Sequence, residues 1–221
     1  MGVSMPISHR HKVIYVHVPR TGGSGVEQVL GICGDDNNGT LTPPSPDMLF
    51  GLVGTKVLQH LNARAIRSRV GNDIFGDYFK FTFVRNPYER VVSTYHIRKK
   101  LLPGVKMSFR GFVQKRLTGK QGFGAWTFFR SKAEKALEDQ IEGQHDFISD
   151  AAGKILVDFV GKYENLCADF KKVCDRLGLK ADLPVMNQSK HESYRNYYDA
   201  ETRKAVEEVY KKDIEAFGYE F

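Results

Sequence analysis

The sequence predicts an α/β fold with a central, mainly parallel sheet flanked by helices. Two observations lead there. Apolar runs of strand length alternate with segments of helical periodicity. The two strongest strand runs are each followed at once by a helix start, one through a glycine-rich turn, and such sheets take ligands at the carboxyl ends of their strands.

The first strand is read over Lys12 to Val18, where Val13, Ile14, Tyr15, Val16 and Val18 are nearly continuous, as in a strand buried on both faces. Pro19 to Gly25 ends it, and Val26 to Leu30 opens a helix. Gly31 to Asp47, rich in Gly, Asp, Asn and Pro, reads as a long loop. Lys56-Val57-Leu58 is a short strand. Asn62 caps a helix to about Val70, with Gly71 just past its end. Tyr78 to Val84 is the second strong strand, rich in aromatic residues. Asn86, Pro87 and Glu89 then have the N-cap, N1 and N3 spacing of a capping box. Ile155 to Val160 is a third strand. A helix through Leu166, Phe170, Val173 and Leu177 stops at Gly178. The last helix starts near Asp199, buries Val206, Val209, Ile214 and Phe217, and ends at Gly218. The polar, basic stretch from Leu101 to Gly143 shows no clear period.

A chain of 221 residues suits one compact domain, 1–221, with 1–11 expected to be a flexible N-terminus. Lys and Arg total 33 against 26 Asp and Glu, a formal charge of +7 that favours anionic partners. These include nucleic acid, membrane headgroups, phosphate or sulfate esters and acidic polysaccharide. No apolar run is long enough to cross a bilayer, and the first residues lack the apolar core of a secretory signal. Pro6 stands where a myristoylation site needs Ser or Thr. Cys33, Cys167 and Cys174 form neither a disulfide framework nor a metal-ligand spacing. The expectation is a cytoplasmic protein with reduced thiols, no integral membrane segment and no metal.

Two segments carry chemistry. A glycine-rich turn before a helix presents backbone N–H groups and the positive end of the helix dipole, which suits phosphate or sulfate. In Pro19 to Gly25, Thr21 and Ser24 add hydroxyls and Arg20 adds a permanent charge. A tight turn that needs glycine for positive φ is the other use of such a segment. It is not a Walker A loop, because no Gly-Lys-Ser/Thr follows. Arg85 ends the second strand, where a guanidinium fork can grip a phosphate, and Ser93 lies two turns up the next helix. A salt bridge to Glu89 and a solvated serine are the ordinary fates of these two. Two anion sites at strand ends suit a ligand with two separated anionic groups, such as a bisphosphorylated nucleotide.

VIYVHVPRTGGSGVE (13–27) resembles the 5′-phosphosulfate loop of sulfotransferases, and FKFTFVRNPYERVVSTYH (79–96) resembles their 3′-phosphate segment. These enzymes use 3′-phosphoadenosine 5′-phosphosulfate (PAPS). The stretches from Asp158 to Leu179 and from Asn187 to Phe221 are also similar, so the resemblance reaches from about His11 to Phe221. It is closest to the carbohydrate, heparan sulfate 2-O-sulfotransferase-like branch and to short bacterial members. The resemblance implies a P-loop-like three-layer fold. It implies that Arg20, Thr21, Gly22, Gly23, Ser24 and Gly25 hold the 5′-phosphosulfate, and that Arg85 and Ser93 hold the 3′-phosphate. Arg20 stands where the loop often has Lys. Ser189 and Lys190, with Arg195, are further nucleotide candidates. His60 is the candidate base, as a histidine in this region deprotonates the acceptor hydroxyl in similar enzymes. His17 reads as packed, and Glu27 and Glu164 as alternatives or partners. Trp126, Phe128 and Phe129 are core residues or line an acceptor cleft. The expected partner is a hydroxyl-bearing acceptor such as a glycan, not nucleic acid, with adenosine 3′,5′-bisphosphate as product and the oligomeric state open. The competing readings are a P-loop nucleotide kinase or hydrolase, which lacks its lysine, and a non-catalytic polyanion-binding module.

Overall fold

The computed structural model describes residues 6–32, 60–102, 104, 106–117, 141–180, 183 and 192–221. The Lys56-Val57-Leu58 strand, the loop from residue 33 on, Trp126, Phe128, Phe129, Ser189 and Lys190 lie outside the described residues. Two compact units arise, residues 1–84 with 146–187 and residues 85–145 with 188–221.

The first unit carries a four-stranded sheet, β1 (Ile7–Ser8), β2 (Val13–Tyr15), β3 (Phe79–Val84) and β4 (Phe159–Lys162), in that spatial order. β1 pairs antiparallel with β2, while β2–β3 and β3–β4 are parallel. The mainly parallel α/β sheet expected from the sequence is therefore present. The stretch expected to be flexible supplies β1 through Ile7 and Ser8. α1 (Gly23–Leu30) and α6 (Leu166–Leu177) cover one face, where Tyr15, Phe81 and Phe83 pack with Val26, Leu30, Phe170 and Val173. Ile14, Thr82 and Val84, on the alternate positions, are also fully buried. Burial on both faces is why these strands read as continuous apolar runs rather than as alternation.

Two boundaries in this unit differ from expectation. The strand placed over Ile155 to Val160 begins only at Phe159 and runs on to Lys162. Ile155 is instead bridged to Ser149 across a turn that the Asp150 carboxylate organises, accepting the N–H groups of Ala152 and Lys154, both at 2.9 Å. The helix capped by Asn62, which accepts the Ala65 N–H at 2.9 Å, continues as α2 (Ala63–Asp77). Gly71, with φ 84° and ψ 163°, breaks it into two helical segments at the expected stop.

The second unit is helical: α3 (Pro87–Leu101), α4 (Phe109–Phe112) followed by a π-turn (Val113–Leu117), α7 (Ala200–Val209) and α8 (Lys211–Phe217). α5 (Gln144–Ile148) lies on the chain between the two groups of elements. Tyr88, Val91, Val92, Tyr95, Phe109, Phe112, Val206 and Tyr210 form the second core. The C-terminal helix was expected to be single and to bury Val209. It divides at Tyr210, and Val209 is 43% exposed. Tyr210 turns inward, its hydroxyl donating to the Ile141 carbonyl at 2.7 Å and its ring lying 5.2 Å from the buried Arg90 guanidinium. The face that buries Val206 and Tyr210 leaves Val209 on the outer side.

Gly161 in β4 is where the first core is tightest. A Cβ there would overlap the Phe83 ring and sit 3.1 Å from the Asp169 Cβ. Gly161→Ala is expected to cost about 1–3 kcal/mol through overpacking. Urea unfolding should show a lower midpoint at unchanged slope.

Candidate active site

The glycine turn lies where β2 leaves the sheet. Val16 still donates its N–H to the Phe81 carbonyl at 2.9 Å, and its own carbonyl accepts the Thr82 hydroxyl at 2.7 Å. The chain then turns through Arg20 and Gly22, both in the left-handed region at φ 72° and 79°. Gly22 tolerates this freely. Arg20 is held there against its preference, and such outliers gather at ligand-binding turns.

Gly22 is the N-cap of α1 and offers no side chain to the first N–H groups, nor does an acidic residue stand in the first turn. The helix start is therefore a set of aligned donors at the positive end of a dipole, beside Arg20. Gly23 is constrained by close approach, because a Cβ there would overlap His17 Nε2 and the Tyr15 hydroxyl. The Thr21 hydroxyl donates to the Val18 carbonyl at 2.7 Å. Its single hydroxyl proton serves the turn.

Beneath this helix start is a polar cluster. Glu27, fully buried on α1, accepts the Nδ1–H of His17 at 2.8 Å. The Tyr15 ring stacks on His17 at 5.2 Å and 20°, and its buried hydroxyl lacks a hydrogen-bond partner among the described residues. Against the His17 ring, at 4.5 Å and 66°, lies His60. His60 Nδ1 is 3.3 Å from the His17 carbonyl. A carbonyl only accepts, so Nδ1 carries the proton and Nε2 keeps the lone pair. Burial first, then the neighbouring His17, pushes His60 down to about 3, with the Arg20 charge adding to the fall and Glu27 opposing it.

His60 thus packs against His17, which lies under the glycine turn. His17 was read as packed, and it is, but against three ionisable side chains, Tyr15, Glu27 and His60. The His17–Glu27 pair was not read from the sequence. A buried strand histidine ten residues before a glutamate on the inner face of the next helix was the available signal. Glu164 is exposed in the 3₁₀ turn Tyr163–Asn165.

In the second unit, Arg85 and Ser93 are both buried, at 4% and 1% exposed. Ser93 is not the solvated helix serine of the ordinary alternative. The Arg85 guanidinium meets Glu89 at 2.9 Å, so the salt bridge exists, although not on the surface. Asn86 caps α3, accepting the Tyr88 N–H at 3.0 Å. The Arg85 backbone is gripped by the fully buried Gln144, which accepts its N–H and donates to its carbonyl, both at 2.8 Å. Asp213 in turn accepts the N–H groups of Gln144 and His145 at 2.8 Å. Gln144 and Asp213 were not singled out in the sequence, and no motif marks them. Arg195 lies over the Tyr194 and Phe221 rings at 4.7 and 5.7 Å.

An uncharacterized protein of Archaeoglobus fulgidus is 33% identical over 132 residues, covering 59% of this chain and 93% of its own length. The sequence model of the sulfotransferase family matches residues 4–220. With nearly the whole length matched, and with an uncapped glycine helix start following a strand of a mainly parallel sheet, the chain belongs to the sulfotransferase family.

Proposed function

We propose that the protein moves a sulfuryl group from PAPS to a hydroxyl of a carbohydrate acceptor, with His60 as general base. The observation that carries this is the start of α1: aligned N–H groups, no side-chain cap, glycine where the backbone must stay bare, and Arg20 alongside. That donor set fits a phosphosulfate, being anion-selective and offering no competing carboxylate in the first turn.

PAPS supplies the activated sulfuryl group. The N–H groups of Gly23 to Gly25, with Ser24 and Arg20, hold the 5′ end and neutralise charge that gathers on the leaving phosphate. Arg85 and Ser93 hold the 3′-phosphate, where a guanidinium makes a charge-assisted fork. Ser189 and Lys190 are further contacts for it. His60 Nε2 receives the acceptor's hydroxyl proton as the new O–S bond forms and the S–O bond to phosphate breaks. Adenosine 3′,5′-bisphosphate leaves. Catalysis of this kind is mostly positioning and charge neutralisation.

The low pKa of His60 shapes its part. At neutral pH the ring is unprotonated, so the lone pair is available. It is a weak base until anionic nucleotide neutralises Arg20, one of the charges that depress it. Because the folded value lies below that of the unfolded chain, the unfolded state binds more protons as pH falls below about 6.5. This contribution to stability is present above that pH and is lost progressively toward the folded value of about 3. In the ligand-free protein, the His60 ring signals should stay those of the neutral form from about pH 8 to about pH 5.

Two variants separate the roles. His60→Ala should abolish turnover and leave adenosine 3′,5′-bisphosphate affinity nearly unchanged, by calorimetry. Unchanged turnover would reject the base. Arg85→Ala should weaken that affinity by about 2 kcal/mol or more, as a charge-assisted contact is lost. Thermal shifts with adenosine 3′,5′-bisphosphate, ATP–Mg²⁺ and heparin test the class, since selective stabilisation by the bisphosphate favours sulfotransfer over a kinase or polyanion module.

A further inference from the structure

We propose that Glu27 is a positioning residue for His60, acting through His17. The inference rests on the reading of His60 as the base. Its geometry stands independently, within one unit of the protein.

His17 is held on all sides. Its Nδ1–H goes to Glu27 at 2.8 Å, its ring lies under Tyr15, its Nε2 abuts the backbone of Gly23, and its carbonyl receives the His60 Nδ1–H. Its other face meets the His60 ring at 4.5 Å. A carboxylate that fixes one imidazole tautomer is a known way to orient a proton acceptor. Here the oriented imidazole packs edge-on against a second one, that of His60, whose Nδ1–H goes to the His17 backbone carbonyl, and His17 also touches the first turn of α1. One buried pair therefore sets both the floor of the glycine turn and the ring wall against which the base lies.

The charged and titratable groups around His17 are Glu27 on α1, Tyr15 on β2, Arg20 in the turn and His60. When His60 takes the acceptor's proton it becomes an imidazolium. The Glu27 carboxylate, 2.8 Å from His17 Nδ1, is the negative charge behind the base that stabilises the imidazolium as it forms. Arg20 is the opposing charge, and its pairing with the nucleotide removes that opposition. Glu27 touches neither substrate nor reacting atoms. It acts on the proton affinity and orientation of His60.

The test uses the full chain labelled with ¹⁵N, and Glu27→Gln, which keeps an oxygen to accept the His17 N–H and removes the charge. Long-range ¹H–¹⁵N spectra of the wild type near pH 7 should show His60 neutral and protonated on Nδ1. A His60 ring protonated on Nε2 instead would overturn the proposal. With adenosine 3′,5′-bisphosphate bound, the His60 titration midpoint in Glu27→Gln should fall by at least about half a pH unit. An unmoved midpoint would overturn it too. In single-turnover transfer from PAPS, the Glu27→Gln rate should drop at least about tenfold. Its bisphosphate Kd should stay within about threefold, since a charge behind the base is not a nucleotide contact. Glu27→Asp should recover part of the rate, and it carries the spectroscopic arm if the Gln variant does not fold. Equal losses of rate and affinity would mean a structural role. If the wild type transfers no sulfate, the sulfotransfer reading fails, while the spectra still decide the Glu27–His17–His60 coupling.

Discussion

At Gly23 the backbone of the first helix comes so close to the His17 imidazole and the Tyr15 hydroxyl that no side chain fits between them, and much of the first unit is arranged around that contact. The strand has to end just before it, with Arg20 and Gly22 turned into left-handed backbone. The helix has to begin without a cap. Polar atoms brought under a helix start need partners, and Glu27, one helical turn further on, supplies the one for His17. Anion-binding donors above and ionisable side chains below are two sides of the same close packing.

The second unit fixes its arginine by a different means. Arg85 is buried, and its place depends on an amide rather than on a turn: Gln144 reads both the N–H and the carbonyl of Arg85, and Asp213 fixes Gln144. Each member is held by the next, so loss of Asp213 would take this acceptor from the buried Gln144 N–H and from the half-buried His145 N–H. The guanidinium itself rests on Glu89, a carboxylate that a phosphate would have to compete with.

Much of this was legible in the sequence because it is local. Strand, glycine turn and helix follow one another within twenty residues, and each has its own composition. Asn62, Asn86, Asp199, Gly178 and Gly218 mark helix ends where the structure has them. What was missed depends on distance along the chain. The grip of Gln144 on Arg85 spans 59 positions and that of Asp213 on Gln144 spans 69, with no periodicity to announce either. Ile155 has the composition of a strand, but a turn organised by Asp150 draws it out of the sheet. Val209 fits the helical period until Tyr210 breaks the helix. His60 was found by its position between two motifs, whereas its depressed proton affinity follows from burial beside His17, which composition does not reveal.

The sheet order has a consequence for synthesis. β2 and β3 pair across a long excursion, and β3 waits for β4 through the whole of residues 85–145. A chain made from its N-terminus onward therefore exposes an unpaired edge of β3 while those residues emerge. Phe79, Phe81 and Phe83 lie on that strand, with Lys80 among them, its ammonium 3.0 Å from Asp158 in the finished fold. Before Asp158 exists, that lysine is an unneutralised charge on the open edge, which is the kind of residue that keeps a waiting strand from pairing with another chain.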